Sequence, residues 1–254
     1  MRFVRLLRRY IRNSPRLLIW LWGYRHPPVT RLYINLTRKK ASFGISGLDR
    51  KIVDYFGGKR SGYFVELGAS NGVSGSNTLL LETFWGWRGT LIEPVEESAI
   101  QLRKNRSATR NHLVRAACVS FRFAEPTVQI AVSGLMSAPI GVESDIADPV
   151  EHARRGLKHI PGRDQVCVET VPARTLTQVL DTAEAPHHID LLSLDVEGGE
   201  VEVLKGVNFE DYSFSAMVIE SRSIRRLQKF LASRGYQLRE KLSDKDYLFV
   251  PSQR

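Results

Sequence analysis

Along residues 47–254, the spacing of apolar and polar positions changes repeatedly. Short apolar runs, typical of buried strands, alternate with segments in which apolar residues recur at helical spacing. Strands that alternate with helices predict an α/β fold, with a parallel sheet covered by helices on both faces. The predicted strands are Tyr63–Leu67, Thr90–Glu93, Leu113–Val119, Ile189–Asp195 and Ala216–Glu220, and the predicted helices are residues 48–56, 76–85, 95–105, 176–182, 199–205 and 222–234.

Two segments depart from this alternation. Residues 121–172 hold predicted strands near 127–132 and 165–170 around a polar stretch, and we interpret them as an insertion that lies over the functional site. At the C-terminal end, residues 236–241 and 247–250 predict a hairpin. Such a hairpin would add antiparallel strands to one edge of the sheet.

The N-terminal segment differs from the rest of the chain in its charge. Residues 1–48 contain 11 Lys and Arg and no acidic residue, whereas residues 49–254 carry a net charge of −1. We therefore divide the chain into an arm, residues 1–46, and a nearly neutral domain, residues 47–254. A neutral domain lacks the basic surface that nucleic-acid binding requires, which argues against nucleic acid as its partner.

The arm has the pattern of a basic amphipathic helix over residues 2–12, followed by the apolar run LLIWLW at 17–22. This run is shorter than the roughly 20 residues that cross a bilayer, and no small-residue cleavage site follows it. A basic helix followed by Trp20 and Trp22 fits an anionic membrane surface, bound through residues 1–24. A helix packed on the domain, a partner-binding arm and a mitochondrial transit peptide stay open as alternatives.

The cysteine content indicates the compartment. Cys118 and Cys167 are the two cysteines of the chain, too few for a disulfide framework, and they indicate a reducing environment. Together with the arm, this predicts a cytoplasmic protein that lies peripherally on the inner face of a membrane.

The loop at residues 66–72 combines small residues with a carboxylate directly after the first predicted strand. Small residues at this point let the backbone turn tightly and approach a ligand at the carboxyl end of a strand. Glu66 could hold an ammonium group, and Glu93, at the end of the second strand, could accept both hydroxyls of a ribose. Because S-adenosylmethionine carries both groups, we expect it as the cofactor. The predicted cofactor-binding residues are Glu66, Gly68, Ala69, Ser70, Asn71, Gly72, Glu93 and Asp195.

Other classes of protein use similar loops. Residues 68–72 match the nucleophile elbow G-x-S-x-G of hydrolases, but those enzymes need a histidine late in the chain, and none of the six histidines follows Asp195. A dinucleotide reductase would need glycine in place of Ser70, and the sequence shows no obvious Tyr-x-x-x-Lys pair. A plain strand-to-helix turn explains the glycines but leaves Glu66 and Glu93 unexplained.

Several segments, taken in their order, resemble the FkbM family of methyltransferases. The resemblance implies a Rossmann-like seven-stranded sheet, mostly parallel with a C-terminal antiparallel hairpin, and O-methylation, often of a sugar or polyketide hydroxyl. It implies that Glu66 and the glycines of the loop are cofactor ligands, that Glu93 is the ribose ligand, and that Asp195 is an active-site carboxylate. Many relatives have an acidic residue where Asn71 stands, so a role that needs a charge does not carry over to that position. The segments that carry the resemblance are residues 64–73, 86–94, 171–176, 189–198 and 202–206.

Three carboxylates lie at or near the ends of the fourth and fifth predicted strands. Asp195 ends the fourth strand, Glu197 follows it and Glu220 ends the fifth, and we predict that these residues are catalytic. Carboxylates that share one cleft repel one another, which can raise the pKa of one of them to a value that suits a general base. The same cluster could bind Mg²⁺. As alternatives, Asp195 could cap the next helix, and Glu220 could form a surface ion pair with Arg222 or Arg225.

These observations together predict an S-adenosylmethionine-dependent O-methyltransferase that acts on a hydroxyl of a sugar, glycan precursor or lipid-linked saccharide. The competing hypothesis is a non-catalytic, membrane-associated adaptor built on the same fold. His187 and His188 precede the fourth strand, at its far end from the cleft, so we expect them to be polar loop residues.

Overall fold

The computed structural model describes residues 42–160 and 162–252, so the predicted arm lies outside the described residues except for its last positions. The strands are β1 (Tyr63–Leu67), β2 (Arg88–Ile92), β3 (Asn111–Val114), β4 (Ala117–Val119), β5 (Thr127–Val132), β6 (Ala138–Ile140), β7 (Cys167–Thr175), β8 (His188–Leu194), β9 (Ser213–Glu220), β10 (Tyr236–Lys241) and β11 (Asp246–Pro251). The helices are α1 (Leu48–Tyr55), α2 (Leu79–Trp85), α3 (Glu96–Asn105), α4 (Pro149–Gly156), α5 (Leu176–Thr182), α6 (Glu200–Leu204) and α7 (Ile224–Ala232), with 3₁₀ turns at Ile45–Gly47, Gly134–Met136 and Leu157–His159.

The main sheet has seven strands in the order β10-β11-β9-β8-β1-β2-β3. Strand β1 pairs in parallel with β2 and β8, and β8 pairs in parallel with β9. Strand β11 pairs antiparallel with β9 and β10, which makes the C-terminal hairpin one edge of the sheet. This arrangement confirms the predicted Rossmann-like fold. The strand order reverses between β1 and β8, and such a reversal opens a crevice at the carboxyl ends of the strands.

The core lies on both faces of this sheet. Neighbouring residues of β1 point to opposite faces, because side chains alternate along a strand. Val65 packs in one cluster with residues of α5, α6 and α7, and Phe64 packs in another with residues of α1, α2 and α3. Both side chains are fully buried. Helix α5 begins at a side-chain cap, where the Thr175 hydroxyl accepts a hydrogen bond from the Gln178 amide.

The run Leu113–Val119, predicted as one strand, is divided between two sheets, which corrects the prediction. Strand β3 pairs with β2 in the main sheet, whereas β4 pairs with β7 in a second sheet of order β4-β7-β5-β6. The chain leaves the main sheet at Arg115, whose guanidinium pairs with Glu96 and Glu169. An apolar run does not show where its backbone changes partner, so the pattern alone could not locate this break.

The polar stretch between β5 and β7 contains structure that the sequence pattern did not predict. Strand β6 has only three residues, and α4 buries only Ala153 and Gly156, so neither gives a clear periodic signal. The start of α4 is nevertheless well specified, because the Asp148 carboxylate accepts a hydrogen bond from the Glu151 amide and Pro149 occupies the first turn.

The lengths of the helices decide whether any of them could span a membrane. Across residues 42–160 and 162–252, no helix is long and apolar enough to do so.

Candidate active site

A cleft of about 510 Å³ opens at the carboxyl ends of β1, β2, β8 and β9. Open α/β sheets bind their ligands at this place. Of the predicted site residues, the structure brings together Gly68, Ser70, Glu93, the carboxylates that follow β8 and the carboxylate that ends β9. The cleft-lining members of the prediction are Gly68, Ser70, Glu93, Asp195, Glu197 and Glu220.

Gly68 stands where the ends of β1 and β8 approach most closely. Its φ is +74°, in the left-handed region, and a Cβ at this position would lie 1.8 Å from the Asp195 carbonyl oxygen. The Leu67 carbonyl also accepts a hydrogen bond from the Asp195 amide at 3.3 Å. Glycine is therefore required here for two reasons, its backbone conformation and the absence of a side chain.

Substitution of Gly68 by alanine is expected to lower the free energy of unfolding by about 2–4 kcal/mol, because backbone strain adds to the overlap with Asp195. Gly86 provides the matched control, since its φ is +69° and a Cβ added there would meet nothing within 4 Å. Gly86→Ala should cost only about 1 kcal/mol, the strain alone. Urea denaturation of both variants measures the difference, and equal costs would show that the contact with Asp195 is unimportant.

Glu66 is buried and is not among the residues that line the cleft, so its predicted contact with the cofactor stays a prediction. Its carboxylate accepts hydrogen bonds from the Ser76 hydroxyl at 3.1 Å, the Asn77 amide at 2.7 Å and the Thr78 hydroxyl at 2.8 Å. These bonds fix the segment that leads from the loop into α2. Glu66 therefore acts through the shape of the loop.

Asn71 is also turned away from the cleft. Its side-chain oxygen accepts hydrogen bonds from the amides of Val73 and Ser74, at 3.0 and 2.9 Å. The amide group thus closes a local turn, a role that needs no charge at this position. Ala69 and Gly72 likewise do not line the cleft. The predicted contacts of Ala69, Asn71 and Gly72 with the cofactor stay predictions.

Arg106, at the end of α3, joins the parts of this loop in the interior. Its side chain is fully buried, with Nε 2.6 Å from Glu82 and Nη1 3.4 Å from Glu66. The same guanidinium donates to the Gly72 carbonyl and to the Thr78 hydroxyl. One buried cation thus connects the end of β1, the loop and the start of α2. Sequence reasoning missed this residue, because a single arginine at a helix end resembles a solvated one.

Glu93 lies at the end of β2 and is buried at the cleft wall. Its two oxygens accept hydrogen bonds from the backbone amides of Ser70, at 2.8 Å, and Val95, at 2.9 Å. Desolvation by burial raises the pKa of Glu93 to about 7, although these two bonds favour the ionised form. The carboxylate is therefore held rigidly beside the loop and changes its charge near neutral pH.

Asp195, Glu197 and Glu220 come together as predicted, with carboxylate oxygens that all lie within 4.8 Å of one another. Burial raises the pKa of Asp195 well above its usual value, and the neighbouring carboxylates, first of all Glu220, raise it further. Burial and the nearby Glu220 carboxylate thus both favour the neutral form of Asp195. Carboxylates this close do not both ionise readily.

Glu197 is paired with an arginine and a histidine. Arg222 Nη2 lies 2.5 Å and His152 Nε2 lies 2.9 Å from the same oxygen of Glu197. Glu220 pairs with Lys245 at 3.5 Å, so the predicted pairing of Glu220 with Arg222 or Arg225 is wrong. Since these side chains already compensate the cluster, its chemistry gives no support for the predicted Mg²⁺.

The alternative role of Asp195 as a helix cap is also wrong. Helix α6 starts without a side-chain cap. The amides of Val196 and Gly198, which precede it, donate instead to Glu200 at 3.3 and 3.0 Å. The carboxyl group of Asp195 is therefore left facing the cleft.

The cleft also has walls outside the main parallel strands, and one of them belongs to the segment interpreted as an insertion over the site. One wall comes from the second sheet and the turn Gly134–Met136, and another from the hairpin turn between β10 and β11. His152 reaches Glu197 from α4, in the segment predicted as an insertion. A turn or a short helix gives no sequence signal for the cleft it faces. His187 and His188 lie at the other end of the sheet, as expected, with contacts to Asp211 and to serines of β9. His188 is the first residue of β8, so only His187 is a loop residue.

The fold and the cleft define a methyltransferase. The chain belongs to the FkbM methyltransferase family, whose domain model matches residues 66–249. Comparison with curated protein sequences finds no match.

Solved structures of methyltransferases are similar to this chain. The FkbM methyltransferase from Methylobacillus flagellatus KT is 17% identical with a TM-score of 0.44, and the match covers 75% of this chain and 43% of that one. The chain thus spans less than half the length of that protein. The precorrin-6y C5,15-methyltransferase from Geobacter metallireducens GS-15 is 10% identical with a TM-score of 0.43, and the match covers 81% of this chain and 87% of that one.

Proposed function

We propose that the protein is an S-adenosylmethionine-dependent O-methyltransferase that acts on a hydroxyl of a sugar, glycan precursor or lipid-linked saccharide. The observation that carries this proposal is the shared cleft. Glu93 and Gly68 lie in the same cavity as the neighbouring carboxyl groups of Asp195 and Glu220. The residues proposed to bind the cofactor and those proposed to react with the acceptor thus line the same cavity.

The residues present fit the cofactor. The Glu93 carboxylate would accept the ribose hydroxyls, and Gly68 and Ser70 would bring the backbone close to the methionine part. When bound, the cofactor supplies a methyl group that is already activated on a sulfonium, so that positioning contributes much of the rate.

The chain's own contribution to the reaction is a base beside the acceptor. In its ionised form, the Asp195 carboxylate would take the proton of the acceptor hydroxyl. Burial and Glu220 raise the pKa of Asp195, so it is a stronger base than an ordinary carboxylate. Glu197, held by Arg222 and His152, would fix the geometry beside Asp195 and Glu220.

The affinity for S-adenosylmethionine is expected to rise about tenfold between about pH 6 and about pH 8. The pKa of Glu93 is raised to about 7, and only the ionised carboxylate accepts two hydroxyl donors well. Lower pH therefore protonates the group and weakens binding. Calorimetric titration across this range measures the slope.

Glu93→Gln is the matched control for this titration, since it keeps the shape and removes the charge. Its affinity should be lower at high pH and nearly independent of pH. A wild-type affinity that does not change with pH would remove Glu93 from the cofactor site.

Transfer of a tritiated methyl group from the cofactor to glycan or lipid extracts tests the proposed activity directly. A labelled saccharide product is the expected result. Cofactor binding without transfer to any fraction would favour the competing hypothesis of a non-catalytic adaptor. No cofactor binding at all would overturn both the cofactor and the activity.

We further propose that residues 1–24 bind an anionic membrane surface and that the protein lies on the cytoplasmic face of a membrane. The charge of the N-terminal segment and the helical spacing of its apolar residues support this proposal. The near neutrality of the rest of the chain supports a small-molecule or glycan acceptor in place of nucleic acid.

A further inference from the structure

Glu202 is a buried carboxylate that the proposed reaction does not use. It lies on α6, a short helix whose five residues are all buried, and its own exposed fraction is 5%. Its side chain lines the cleft, outside the cluster of Asp195, Glu197 and Glu220. Burial of a carboxylate is costly unless hydrogen bonds or a cation compensate it. The partners of Glu202 therefore decide what this side chain can do.

Only one oxygen of Glu202 has a partner within the described part of the chain. Oε1 accepts a hydrogen bond from the Ser120 amide at 3.1 Å. Oε2 accepts none, yet it is not among the enclosed polar atoms that lack a partner. The one basic residue among the described residues that line the cleft is Lys245, and it pairs with Glu220. Oε2 is therefore open to the cleft and able to accept a hydrogen bond from a ligand.

The backbone around Glu202 is fixed. Gly206, just after α6, lies so close to β4 that a Cβ there would be 2.1 Å from the Val119 carbonyl oxygen. The Gly206 carbonyl also accepts hydrogen bonds from the amide and the hydroxyl of Thr177, both at 3.0 Å. Together with the bond from Ser120, these contacts hold α6 against β4, so that Oε2 keeps its orientation.

Beside Glu202, the wall of the cleft is apolar. The residues of β4, β5, α6 and the segment after β2 that form it include Pro94, Ala117, Val119, Val128, Ile130 and Val203. Val95 packs in one cluster with Val119, Val128 and Ile130. The Val95 amide also donates to Glu93 at 2.9 Å. The apolar wall therefore begins next to the carboxylate that is proposed to hold the ribose.

An adenine ring has the chemistry that fits this wall. A flat aromatic ring favours apolar surroundings, and adenine carries an amino group, N6, that donates hydrogen bonds. We propose that Glu202 selects the adenine base of the cofactor, with Oε2 as the acceptor for N6. The inference rests on the proposed function and specifies how the cleft distinguishes adenine from a base with a carbonyl at the same position. Such a carbonyl oxygen would face the carboxylate oxygen, and neither could donate.

Calorimetric titration of the full chain with two ligands tests this role. The ligands are S-adenosylhomocysteine and S-inosylhomocysteine, in which a carbonyl replaces the amino group of the base. The wild type should bind S-adenosylhomocysteine at least about tenfold more tightly, because the analogue leaves Oε2 of Glu202 without a donor.

Glu202→Gln should reverse this preference. The buried Ser120 amide should keep the oxygen of the new side chain, which leaves the NH₂ group facing the base. The affinity for S-adenosylhomocysteine should then fall about tenfold, and the affinity for S-inosylhomocysteine should rise about tenfold. Because the preference compares two ligands on one protein sample, a loss of stability alone cannot reverse it.

Glu200→Gln is the matched control, since Glu200 is buried on the same helix but does not line the cleft. Its preference should match that of the wild type within about twofold. The role of Glu202 would be overturned by equal binding of both ligands to the wild type, by an unchanged preference in Glu202→Gln, or by the same reversal in Glu200→Gln. Each of these outcomes leaves the proposed function intact, whereas a wild type that binds neither ligand would overturn the proposed cofactor as well.

Discussion

Replacement of Asp195 by asparagine is expected to slow methyl transfer by about 10²–10⁴-fold, the usual contribution of a general base. Asparagine keeps the size of the side chain but cannot take up the proton of the acceptor hydroxyl. In the wild type, burial and Glu220 raise the pKa of Asp195. Since only the ionised Asp195 carboxylate accepts a proton, the rate should fall as the pH drops below this raised pKa. Transfer of tritiated methyl to the labelled acceptor fraction measures both effects.

Glu197→Gln is the matched comparison, because Glu197 lies in the same cluster but is already paired with Arg222 and His152. We expect a loss of less than about tenfold, since the amide keeps one acceptor oxygen for these partners. An Asp195→Asn variant that is as active as Glu197→Gln would show that the proton is taken elsewhere.

Replacement of Arg106 by alanine is expected to lower the free energy of unfolding by about 3–5 kcal/mol. The change leaves Glu66 and Glu82 buried without their cation and also removes donors from the Gly72 carbonyl and the Thr78 hydroxyl. An uncompensated buried charge is far more costly than the loss of an exposed pair. Because the network shapes the cofactor loop, the affinity for the cofactor should fall in the same variant.

Arg103 supplies the control on the same helix, since its side chain is exposed. Arg103→Ala should change stability by no more than about 0.5 kcal/mol. Urea denaturation of the two variants compares them directly, and similar losses would contradict the role assigned to the buried network.

The sequence predicted much of the fold because hydrophobic periodicity reports which face of an element is buried. The strand Tyr63–Leu67 and the helix at 176–182 have the predicted bounds. The pattern could not show that residues 113–119 change sheets, because burial continues across the break at Arg115. The pattern also could not predict α4, because only two small residues form the buried face of this helix.

The sequence predicted which strand ends carry the site, but it did not predict which side chains contact each carboxylate. Glu93, Asp195 and Glu220 each end a strand, and parallel strands bring such ends together. Whether a carboxylate at a strand end faces the ligand or the protein depends on donors that fold beside it. Glu66 finds these donors at residues 76–78, and no local pattern around Glu66 reveals them.

The position of β1 at the centre of the sheet has a consequence for synthesis on the ribosome. Its partner β8 begins at His188, so β1 has one exposed edge until that strand is made. At about 5–20 residues per second this interval is on the order of ten seconds. During it, the apolar strand Tyr63–Leu67 offers unpaired backbone groups to other chains. Nascent-chain aggregation and chaperone capture should therefore peak in fragments that end between β2 and β8.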